Sequence, residues 1–109
     1  GEATIHNNVG YVHKQLGQLE QALAAYQEAL KLLHQIGDSL RATVALYNMA
    51  IVHEDQGDDR EALRLMEQVI ELDRRIGHPD LRRDMETFRR VRQKLDAERD
   101  AKRMQEERA

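Results

Sequence analysis

Seven residues between Asn8 and Leu32 recur at a spacing of forty. Asn8, Val12, His13, Gly17, Ala22, Leu23 and Leu32 come back as Asn48, Val52, His53, Gly57, Ala62, Leu63 and Leu72. Each copy holds two apolar runs of helical period. In the first copy Ile5, Val9, Val12 and Leu16 step by four, three and four, which lines one face of a helix. Gly17 ends that run. Leu19, Ala22, Leu23, Tyr26, Ala29, Leu30, Leu33 and Ile36 form the next, closed by Gly37. In the second copy Asp38 and Ser39 are N-cap residues for a helix holding Leu40, Val44, Tyr47, Ala50 and Ile51, which stops near Gly57. Asp58 or Asp59 caps a helix with Ala62, Leu63, Met66, Val69, Ile70 and Ile76, closed by Gly77.

A single helical pair cannot bury both of its apolar faces. A repeat of this length therefore predicts a stack, in which each pair covers the face its neighbour leaves open. Pro79 suits the first turn of a further helix, along which Leu81, Met85, Phe88, Val91 and Leu95 keep the apolar period. Beyond Leu95 the chain turns to charges three and four apart, such as Glu98 with Lys102, which either carry the helix into solvent or let it fray. The expected architecture is all-α: hairpins over 1–37 and 38–77, then a long C-terminal capping helix over 78–109 with a charged extension.

Composition narrows the function classes. The 109 residues include no cysteine, which excludes a disulfide framework, a thiol nucleophile and a thiolate metal site. No apolar run approaches the ~20 residues of a membrane span. With no leader visible, a cytoplasmic location is the default expectation. The net charge of −3 is uneven. Residues 1–80 carry seven basic and thirteen acidic side chains, whereas 81–95 carry six basic and two acidic. Arg82, Arg83, Arg89, Arg90, Arg92 and Lys94 thus form a basic collar. There is no glycine-rich phosphate loop after a strand, and the one serine, Ser39, reads as a helix cap. Neither an enzyme nor a cofactor is expected.

The pattern Gly10, Gly17, Ala22, Tyr26 and Ala29, answered by Ala50, Gly57, Ala62, Met66 and Val69, resembles the tetratricopeptide repeat (TPR) motif over about residues 1–76. That motif sets a small residue where two helices cross, a glycine at the turn, then Ala, an aromatic and Ala on the second helix. His6 and Leu46 stand where the family often has Trp. The period resembles the forty-residue variant of bacterial multi-repeat regulators. The resemblance implies a right-handed α–α superhelix, a TPR solenoid, whose first helices line a concave groove for a peptide or helix of another protein.

Carried over by motif position, the groove would be lined by Thr4, Asn7, Asn8, Tyr11, Lys14 and Gln15, then by Val44, Tyr47, Asn48, Ile51, Glu54 and Asp55. Asn8 and Asn48 share one position, where an amide can both donate to and accept from an extended backbone. They can equally be polar residues of a solvated face. Tyr11 and Tyr47 are contact anchors or are half-buried between helices. The Lys/Arg pattern of a carboxylate clamp is incomplete. His13 and His53 read as core or boundary residues, and no metal site is expected.

The leading expectation is a protein-interaction scaffold, a fragment of a longer array in a regulatory protein. An uncovered first helix would expose Ile5, Val9 and Val12, so self-association is also expected. The alternative is a structural homo-oligomerisation module with no separate ligand, assembled through Met85 and Phe88. The collar offers a third reading, as a patch for an acidic partner or nucleic acid. An acidic body and the lack of interleaved aromatics argue against nucleic acid.

Overall fold

The computed structural model describes residues 1–109, and every regular element is a helix: α1 (Glu2–Gln15), α2 (Leu19–Gln35), α3 (Ser39–Asp55), α4 (Asp59–Ile76) and α5 (Leu81–Arg108). Each helix packs chiefly on its neighbours in the chain, α1 on α2, α2 on α3, α3 on α4 and α4 on α5. This is the stacked order the forty-residue period predicts.

The turns explain the repeated glycines. At Gly17 and Gly57 φ is +75° and +78°, where a Cβ would be strained. Each closes the same paired cap. Gly17 N–H donates to Lys14 O and Gln18 N–H to His13 O; Gly57 N–H donates to Glu54 O and Asp58 N–H to His53 O. The residue after the glycine then opens the next helix. Asp58 Oδ1 accepts from Glu61 N–H at 3.2 Å, and Asp38 Oδ1 from Arg41 N–H at 3.1 Å. Asp38 and Asp58 are therefore the caps, and Ser39 and Asp59 are the first residues of their helices.

His13 and His53 serve the same turns. His13 Nδ1 donates to Gln18 Oε1 at 2.6 Å, and His53 Nδ1 lies 3.8 Å from Asp58 Oδ2. The His13 ring thus ties the end of α1 to the start of α2, whereas His53 Nδ1 only approaches its aspartate and has no hydrogen-bond partner.

The main core joins Ala22 and Tyr26 of α2 to Leu46, Met49, Ala50 and Val52 of α3 and Leu65, Met66 and Val69 of α4. Beside it Gly10 makes a close approach: a methyl group added to its backbone would stand 2.7 Å from Tyr26 Cε1. The glycine lets α1 lie against the ring of a fully buried tyrosine. In the second repeat the corresponding pair is Ala50 and Met66, both buried: one methyl more on one helix, a slimmer side chain on the other.

Two expectations about the last helix change. It begins at Leu81 with Asp80 as N-cap, leaving Pro79 in the turn. Within that turn His78 Nδ1 accepts the Asp80 N–H at 3.0 Å. The buried residues of α5, Asp84, Thr87 and Val91, fall forty-one residues after the buried Thr43, Leu46 and Ala50. α5 thus sits as a third first-helix, shifted by one residue. Its exposed end stays helical to Arg108, and its 28 residues account for most of the 56 Å long axis.

Overpacking of this kind typically costs about 1–3 kcal/mol. Gly10→Ala is expected to destabilise the chain by that amount in urea denaturation. Adding Tyr26→Met, which copies the second repeat, should recover part of the loss. Strict additivity of the two changes would contradict the crossing described here.

Candidate functional site: the groove between the first helices

Thr4, Asn7, Asn8 and Tyr11 of α1 face Arg41, Val44 and Asn48 of α3 across an open groove of ≈ 370 Å³. The spacing of these residues on two helices of the same phase brings them together. Gln15 Nε2 donates to Tyr11 Oη at 2.9 Å, which holds the exposed phenol upright at the rim. Asn7 Oδ1 is buried without a hydrogen-bond partner. Lys14 is half-buried and Gln15 exposed on the same helix.

The second-repeat half of the expected groove is occupied. Tyr47 shares a 3.1 Å hydrogen bond with Thr87 Oγ1 of α5, and the Arg83 guanidinium lies 4.2 Å from the centre of its ring. Glu54 accepts from Arg90 Nε at 3.1 Å and Nη2 at 2.7 Å, and Lys94 Nζ lies 2.7 Å from one of its oxygens. These donors, the Arg90 hydrogen bond first, hold the Glu54 carboxyl below the usual glutamate value although burial opposes them. Ile51 is half-buried and Asp55 exposed beside them.

The basic collar is divided accordingly. Arg90 and Lys94 are committed to Glu54, with Lys94 also 3.5 Å from Asp59. Arg83 pairs with Asp84 and Asp80, and Arg92 stands 4.0 Å from Asp96. Arg82 is exposed, and Arg89 borders a separate recess of ≈ 420 Å³ where Ile70 of α4 meets Met85 and Phe88 of α5. The two arginines without an ion pair are thus not joined into one patch.

Sequence spacing did not single out Asp73, His78 and Asp84, which meet where α4 turns into α5. One ligand atom from each lies within 4.8 Å of the others, and all three residues are buried. Burial, then Asp84 alongside, pushes the Asp73 carboxyl up to about 7. One signal was available: Asp73 stands forty residues after Leu33, a fully buried apolar residue.

The model of the family described as Tetratricopeptide repeat matches residues 1–75, and the chain belongs to that family. Among curated proteins, none matches the chain. The class is thereby that of helical-repeat interaction scaffolds. No helix is long and apolar enough to cross a membrane.

The lowered Glu54 value carries a sign. A depressed carboxylate adds stability above its ordinary pKa of 4.5 and loses it as pH falls below that value. Protection factors of the amides of residues 88–95, corrected for intrinsic exchange, should therefore fall only as pH drops below 4.5, and Glu54→Gln should lower them at neutral pH already. Unchanged protection in Glu54→Gln would show that the clamp does not hold α5.

Proposed function

We propose that the chain holds an extended peptide of another protein in the groove between α1 and α3. The observation that carries this is the lining itself. Asn8 and Asn48 come from equivalent places on adjacent helices, border the same groove, and make no side-chain hydrogen bond within the chain. Paired amides at one repeat spacing offer donors and acceptors in register with a peptide backbone. Tyr11 supplies apolar area with a polar tip, and Arg41 supplies a cation at one edge. With Tyr47 and Glu54 engaged by α5, the site is the amino-terminal half of the full concave face.

Peptides selected from a random library against the chain provide the test. Asn8→Ala and Asn48→Ala together should weaken binding about tenfold or more, at ~1 kcal/mol per hydrogen bond. The helical fold should remain. Peptides that bind the double variant as they bind the original chain would exclude this groove.

A second reading, self-association, rests on a different observation. Ile5, Val9 and Val12 are 61, 41 and 55 % exposed, whereas Ala45, Met49 and Val52, forty residues on, are buried against the preceding repeat. The apolar face that α3 covers with α2 is open on α1. Sedimentation should show a concentration-dependent dimer or stack that Val12→Glu abolishes. A monomer at all concentrations would remove this reading and leave the first untouched.

A further inference from the structure

We infer that Asp73, His78 and Asp84 form a binding site for a single divalent cation of the zinc class, which fastens α5 to the second repeat. Asp73 is fully buried and neither of its carboxylate oxygens has a hydrogen-bond partner. Asp84, 1 % exposed, accepts on Oδ1 from Arg83 Nη2 at 3.0 Å, while its Oδ2 is buried and unpartnered. The His78 side chain is 3 % exposed, and its Nδ1 lies 3.8 Å from Asp73 Oδ1. Buried carboxylates are normally paired or bound to metal, because ionised oxygens held away from water and donors are strongly disfavoured.

The cluster has too few donors of its own. Arg83, half exposed, reaches Asp84 and Asp80 but is not paired with Asp73. The titratable groups around the site are Asp73 of α4, His78 and Asp80 of the turn, and Arg83 and Asp84 of α5, with the Tyr47 ring of α3 beneath Arg83. Three carboxylates against one guanidinium leave an excess of two negative charges, which one divalent ion balances.

The donor set suits the ion. One imidazole with two carboxylates is a set used by zinc and its first-row neighbours, and a bidentate Asp73 would bring the donor atoms to four. His78 would coordinate through Nδ1, exchanging the Asp80 N–H for the cation. The three groups must draw together, since separations up to 4.8 Å exceed those of a loaded site. The first repeat supplies the contrast. Leu33, in the place of Asp73, packs with Ala3, Ala42 and Ala45, so an apolar side chain fills the position that Asp73 holds in the second repeat.

The test uses Zn²⁺ alone with the full 109-residue chain. Equilibrium dialysis followed by metal analysis should find one Zn²⁺ per chain, and saturating Zn²⁺ should raise the thermal midpoint. Asp73→Leu, which installs the first-repeat residue, should stay folded and lose both effects. Asp84→Asn, nearly the same shape, should weaken uptake at least tenfold and serves if Asp73→Leu does not fold. Failure of the folded chain to hold stoichiometric Zn²⁺ would overturn the inference. So would uptake that is unchanged in Asp84→Asn, because the ion would then sit elsewhere on the chain, such as on the exposed His34.

Discussion

The closeness of α1 and α2 at Gly10 sets the scale for everything that follows. A ring as large as Tyr26 can be fully buried under a helix only if the overlying residue has no side chain. That contact fixes how far α2 stands from α1, and α2 in turn is the surface on which α3 rests. The groove is the gap left between two first-helices once their second helix has been placed behind them. Its lining residues do not define its width. The buried residues behind them do.

α5 repeats this logic with half of the parts. It lies where a third first-helix would lie, so its buried face reuses the burial pattern of α3. Within residues 1–109 it packs chiefly on α4. Polar contacts supply part of what packing supplies elsewhere: Glu54 between Arg90 and Lys94, Tyr47 against Arg83 and Thr87, and the buried acids at the turn. The same contacts withdraw Tyr47 and Glu54 from the concave face. Anchoring the last helix and shortening the open groove are one physical event.

Local signals were legible in the sequence to the extent that they act locally. Apolar steps of three and four gave the helices, and glycines with positive φ marked their ends. The aspartates after Gly37 and Gly57 capped the next helices. The meeting of Asn8 with Asn48 was also legible, because a repeat that stacks carries each residue onto its copy. The engagement of Tyr47 and Glu54 was not. Their partners lie thirty-six to forty residues away on a helix displaced by one residue beyond the turn at His78. The meeting of Asp73 with Asp84 was hidden for the same reason, since Gly77 and His78 fold an ordinary interval back on itself.

The length of the open groove depends on α5 docking against α3, with Tyr47 beneath it. Nuclear Overhauser contacts between the Tyr47 ring and the Thr87 methyl group test this directly, because the two side chains are joined at 3.1 Å in this fold and distant in any arrangement where the last helix swings free. Strong cross-peaks between them, with slow exchange of the Tyr47 hydroxyl, are the predicted result. Their absence, together with a Tyr47 ring fully accessible to a soluble paramagnetic probe, would contradict it.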